Sequence, residues 1–123
     1  MKLKTLVAVL CAFFLLAAAA VYAAPGKPKS VIHVITVKWK ASATPQQITA
    51  VLKAAEDMNY PGLKNVWTRA FKMQLPEGYK NIIVMEFASE DALVKYKDSP
   101  AQLKWYEVYM PIREESSTHD ISN

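Results

Sequence analysis

Two segments of this chain, Val31 to Lys40 (VIHVITVKWK) and Asn81 to Ala88 (NIIVMEFA), are dense in β-branched and aromatic residues and are apolar on two faces. Such residues have few side-chain rotamers to lose and pack well on a pleated surface, so both segments read as strands. Successive strand side chains point to opposite faces. In the first, Val31, Ile35, Val37 and Trp39 share one face, and Ile32 and Val34 share the other. In the second, Ile83, Met85 and Phe87 oppose Ile82 and Val84. An antiparallel sheet covered by helices on one side normally shows polar residues on the other. Here both faces need a cover.

The rest of the chain supplies helices for one face. Thr44 can cap a helix, Pro45 fits its first position, and Gln47 can return the hydrogen bond of a capping box. Ile48, Val51, Leu52 and Ala55 follow at helical spacing, and Asn59-Tyr60-Pro61-Gly62 ends the helix. Val66 to Leu75 reads as another strand, joined to the Asn81 strand through Pro76-Glu77-Gly78-Tyr79 as a short hairpin. Ser89-Glu90-Asp91 starts a short helix, Asp98-Ser99-Pro100 breaks it, and Ser99 caps the next. On that last helix Trp105, Val108, Tyr109 and Ile112 form one stripe, widened by Leu103, Tyr106 and Met110. Thr118 to Ser122 is a short, weak fourth strand. The order β-α-β-β-α-β, with its second helix broken in two, predicts an α+β, ferredoxin-like antiparallel sheet with helices on one face. In that topology the first and last strands are neighbours. No element remains for the other sheet face, and a second copy of the chain is its most economical cover.

The N-terminus predicts a secretory signal peptide over residues 1–23. Lys2 and Lys4 precede an uncharged run from Leu6 to Ala20, and Val21-Tyr22-Ala23 offers a small-residue cleavage site. The run is shorter than the roughly 20 residues that span a bilayer. Leu10 before Cys11 is not the small residue a lipoprotein site requires. The mature chain, periplasmic or secreted, is expected to make no membrane contact. It loses Lys2 and Lys4 from fifteen cations, which leaves thirteen against eleven acids, a net charge of +2. That is no basic footprint for nucleic acid. Residues 24–30 (APGKPKS) form a linker, and residues 31–123 form the single domain.

VIHVITVKWK, PGLK, IVMEFASEDALVKYKDSPAQ and the closing THDI resemble the stress-responsive A/B barrel (Dabb) family of dimeric α+β barrels. The resemblance covers nearly the whole mature chain. It implies a homodimer whose two sheets pack into a barrel. It implies no particular reaction, since most members have none assigned. A plant member is a polyketide cyclase that uses the Tyr and last His of a Y-x-x-H-P-A-H segment. Tyr96 matches that Tyr, but the H-P-A-H reads Ser99-Pro100-Ala101-Gln102. An amide at Gln102 cannot be a general base near neutral pH, so the cyclase mechanism does not carry over.

The candidate site residues are His33, Tyr96, Asp120 and Gln102. His33 is either a neutral histidine satisfied by one partner or a pocket acid, base or ligand. Asp120 can meet it across the first and last strands and fix its tautomer. The Tyr96 ring should point inward, and its hydroxyl needs a partner. Gln102 is either a binding group or the third residue of a Ser99 capping box. His119, adjacent to Asp120, should point to the opposite strand face, which opposes a metal site with His33. Neither metal nor cofactor is expected, and His33 is the only candidate haem ligand. The expected function is an exported homodimer that binds a small apolar or aromatic molecule or serves as a stress-associated scaffold. The alternative is a cyclase- or monooxygenase-like enzyme acting on an aromatic or polyketide-like substrate through Tyr96 and His33.

Overall fold

The computed structural model describes residues 30–122. The expected signal peptide and all of the linker but Ser30 lie outside the described residues. Four strands and three helices follow in order: β1 (Val31–Trp39), α1 (Pro45–Glu56), β2 (Leu63–Trp67), β3 (Asn81–Phe87), α2 (Glu90–Tyr96), α3 (Pro100–Tyr109) and β4 (Arg113–Ser122). The strands form one antiparallel sheet in the order β2-β3-β1-β4. This is the predicted α+β ferredoxin-like fold, with the first and last strands paired.

Local chemistry explains the helix starts. Thr44 accepts from the Gln47 amide, and the Gln47 side chain accepts from the Thr44 amide, a complete capping box. Ser89 and Ser99 cap α2 and α3, accepting from the amides of Ala92 and Gln102. Between them Asp98 takes a left-handed conformation, φ 61°, which turns the chain from one helix into the next. Gly62 (φ 88°) opens β2, where a Cβ would stand 2.7 Å from the Ala92 Cβ. Both the backbone angle and the space there require glycine.

All three helices serve one sheet face. Val31, Ile35, Val37 and Trp39 of β1 and Ile83, Met85 and Phe87 of β3 are buried with Val51, Ala55, Tyr96, Trp105, Tyr109 and Ile112. Trp105 stacks on Tyr109 with ring centroids 4.4 Å apart and 10° between planes, and its indole N–H donates to the Val51 carbonyl at 3.1 Å. The Trp39 N–H donates to the Asn81 Oδ1 at 2.7 Å. Each indole therefore buries its ring without stranding its donor.

The other face carries Ile32, Val34, Ile82 and Val84, all partly exposed in the single chain. Val34 lies opposite Val84 and His119, Trp67 opposite Val84, and Ile121 opposite Ile32. Trp67 and Ile121 are 47% and 58% exposed. The apolar stripe thus runs across all four strands, with no element of the described chain over it.

Three expectations are corrected. Strand β2 lies at Leu63–Trp67 and not at Val66–Leu75, so the link to β3 is the long segment Thr68–Lys80 and not a short hairpin. Thr68 is buried and donates to Glu56 at the end of α1. That contact pulls the chain off the sheet before the alternation of Phe71, Met73 and Leu75 can be used. Strand β4 is ten residues, Arg113–Ser122, because the length of β1 templates it. The stripe on α3 is narrower than expected. Trp105, Tyr109 and Ile112 are buried, but Leu103, Val108 and Met110 are exposed.

Candidate functional site

His33 and Asp120 are register partners on β1 and β4. Their side chains meet at 2.5 Å, Nδ1 to Oδ1. A carboxylate only accepts, so Nδ1 carries the proton and Nε2 is left free. The side chains are 15% and 52% exposed, so the pair sits at the edge of the core with its carboxylate in solvent. Such a pair orients the imidazole more than it stabilises the fold.

On its other side the His33 ring stands edge-on to Phe87, with centroids 6.4 Å apart. Phe87 packs in turn against Tyr96 at 5.1 Å, and Tyr60 stands edge-on to Tyr96 at 5.5 Å. Phe87 therefore borders both candidates, and His33, Phe87, Tyr96 and Tyr60 form one aromatic layer between helices and sheet. Tyr96 is 2% exposed, and its buried hydroxyl has no hydrogen-bond partner among the described residues. Burial raises its pKa well above the ordinary phenol value, with Tyr106 adding to the effect. At neutral pH the group is a neutral O–H with donor and acceptor capacity unused.

Gln102 does not enter this layer. Its Oε1 accepts from the Asp98 amide at 2.7 Å, and its own amide donates to Ser99 Oγ at 3.3 Å. The expected capping box is shifted by one residue: the side chain returns to Asp98 and not to Ser99. It secures the left-handed turn between α2 and α3. His119 shares the open sheet face with Val34 and lies 3.5 Å from Ser117, away from His33. Among the described residues no three His, Cys, Asp or Glu side chains cluster as metal ligands would.

A separate cleft of about 480 Å³ lies between α1 and α3, lined by Ala54, Met58, Ala101, Trp105 and Val108 with Asp57 and Glu107. None of the four candidate residues lines it. Sequence reasoning did not single out Phe87 or Tyr60 as site neighbours. Phe87 reads as ordinary strand core, and Tyr60 stands in a segment whose clearest message is the end of a helix.

The sequence profile of the family described as "Stress responsive A/B Barrel Domain" matches residues 31–123. No curated protein sequence matches the chain. Solved structures do share the fold. A dimeric ferredoxin-like protein of unknown function from Thermobifida fusca superposes with a TM-score of 0.66 at 20% identity, covering 79% of this chain and 93% of that one. Hydroxynitrile lyase from Passiflora edulis gives 0.68 at 16%, covering 78% and 94%. SnoaB, a cofactor-independent oxygenase from Streptomyces nogalater, gives 0.61 at 11%, covering 77% and 93%. At such identities the likeness is one of fold.

Proposed function

The chain belongs to the stress-responsive A/B barrel family, and we propose that it works as a homodimer, closed through the open sheet face, that binds a small aromatic molecule beside Tyr96 without transforming it. The observation that carries the binding reading is the Tyr96 hydroxyl, buried and unpartnered within an aromatic layer. A buried hydroxyl without a partner costs about 1–3 kcal/mol. An aromatic ligand with one polar substituent relieves that cost and stacks on the same rings. Tyr60, only partly buried, is the side chain that must swing to admit it.

The dimer reading is supported by the apolar stripe of Ile32, Val34, Ile82, Val84 and Trp67, and the Thermobifida fusca neighbour is itself described as dimeric. Binding is preferred to catalysis because Gln102, an amide, is already engaged with the Asp98 amide. The lyase and oxygenase activities belong to neighbours that share the fold at 11–16% identity. Export is part of the same proposal, with the mature chain beginning at Ala24. An intact mass of the exported fraction that still includes Met1 to Ala23 would contradict it.

The test of binding uses 1-naphthol, whose fluorescence responds to burial. Wild-type protein should bind it saturably. Tyr96→Phe should weaken binding about tenfold, the scale of one hydrogen bond, and should not lower the stability of the ligand-free protein, because it removes an orphaned hydroxyl. Equal binding by Tyr96→Phe sinks the ligand reading. No binding by wild type leaves the domain as a scaffold.

A further inference from the structure

A second buried polar cluster lies on the helix side of the sheet, where α3 turns into β4. Arg113, the first residue of β4, places its guanidinium 5.6 Å from the centroid of the Tyr109 ring. One Nη donates to Ser116 Oγ at 3.2 Å. Arg113 Nε is buried without a partner. The Tyr109 hydroxyl is also buried, on a residue 2% exposed, and no partner meets it with hydrogen-bond geometry although Ser116 and Arg113 border it. The orphaned Nε of this half-buried cation and the orphaned phenol beside it make an electropositive spot that water would otherwise have to satisfy.

Among the described residues no carboxylate forms an ion pair with it. All eleven acids lie between Glu56 and Asp120, and residues 1–29 contain none. Among the described residues the side-chain ion pairs take Asp57, Glu86, Asp91, Glu114 and Asp120, and none includes Arg113. The two acids that follow Arg113 in sequence face other groups: Glu114 meets Lys38 at 3.1 Å, and Glu115 is the register partner of Lys38 across β1 and β4.

We propose that Arg113, Tyr109 and Ser116 form a binding site for a small carboxylate monoanion. The planar guanidinium matches a carboxylate through two parallel N–H donors. The Tyr109 hydroxyl, kept neutral by burial, and Ser116 Oγ supply the remaining contacts. The single guanidinium of the cluster matches one negative charge and so favours a monoanion over a phosphate dianion.

The test is a titration of the wild-type protein with sodium acetate at constant ionic strength, against sodium chloride and sodium sulfate. It is followed by the Arg113 Nε–H resonance and by melting temperature. Acetate should shift the resonance saturably and raise the melting temperature, and chloride should do neither. Arg113→Lys and Tyr109→Phe should each weaken acetate binding about tenfold. Without acetate, Tyr109→Phe should be at least as thermostable as wild type, because it removes an orphaned hydroxyl. The absence of a saturable acetate shift overturns the proposal. A sulfate response as strong as that of acetate overturns the monoanion assignment. If Arg113→Gln alters the monomer–dimer equilibrium and acetate has no effect, the counter-charge comes from a second copy and the site is not one for a free ligand.

Discussion

Val34→Lys tests the dimer directly. Val34 is at the centre of the open face, with Val84 beside it on β3 and His119 on β4. It contributes little to the core of its own protomer, whose buried set on β1 is Val31, Ile35, Val37 and Trp39. Full burial of a valine side chain is worth about 1.5–3 kcal/mol. Val34 is already partly buried in the single chain, so dimerisation buries about a third of it at most, and a two-fold interface counts it twice, about 1–2 kcal/mol per dimer. At 1.4 kcal/mol per tenfold, the dissociation constant should rise by about 5- to 30-fold from lost burial, and further from the cost of desolvating the ammonium. Sedimentation velocity across a concentration series reads this shift, and circular dichroism checks that the protomer stays folded. A folded Val34→Lys protein with the wild-type dissociation constant refutes the assignment of this face. So does a wild-type protein that is monomeric at micromolar concentration.

Three further outcomes are expected. Phe87→Ala removes a fully buried ring between His33 and Tyr96 and should cost about 3–5 kcal/mol in chemical denaturation; a loss under 1 kcal/mol would show that the aromatic layer is not packed as described. Asp98→Val should cost about 1–2 kcal/mol and Asp98→Gly nothing, since a β-branched residue is strained at φ 61° and glycine is not; equal effects would place the turn elsewhere. Because burial holds the Tyr96 proton above the ordinary value of 10.0, the unfolded chain ionises first, so its contribution to stability is intact below pH 10 and falls as pH rises beyond it. Melting temperatures should show a steeper alkaline decline for wild type than for Tyr96→Phe, and parallel declines would remove Tyr96 as the cause.

Where local signals agreed with tertiary demands, the fold could be read from residues. The Thr44 capping box, the break at Asp98-Ser99-Pro100 and the two-faced β1 and β3 are cases in which side-chain chemistry and final packing point the same way. The His33–Asp120 pairing followed from topology alone, once the last strand was placed beside the first. The misreadings arose where tertiary contacts overrode pattern. Phe71, Met73 and Leu75 alternate as a strand does, yet Thr68 is drawn to Glu56 and leaves them in a loop. Strand β4 is polar but for Ile121 (REESSTHDIS) and gains its structure from β1 more than from its own propensity. Gln102 stands at the right spacing for a capping box, but the left-handed Asp98 presents its amide first. The Arg113 cluster left no trace in sequence, because an unpaired guanidinium is visible only when every carboxylate has a position.

The place of β1 in the middle of the sheet has a consequence in time. Its partners arrive late: Val31 meets Phe87 on one side and Ser122 on the other, and the contact of His33 with Asp120 spans 87 positions. Non-local pairing of this kind is paid for in loop-closure entropy before any contact rewards it, and it slows folding. During synthesis the most hydrophobic strand emerges first and must wait for the ten residues of β4 before both of its edges are satisfied. A nascent chain that ends before Arg113 leaves that edge of β1 open to pair with whatever strand comes by. The polar, charged sequence of β4 then closes the sheet with an edge that does not invite another strand.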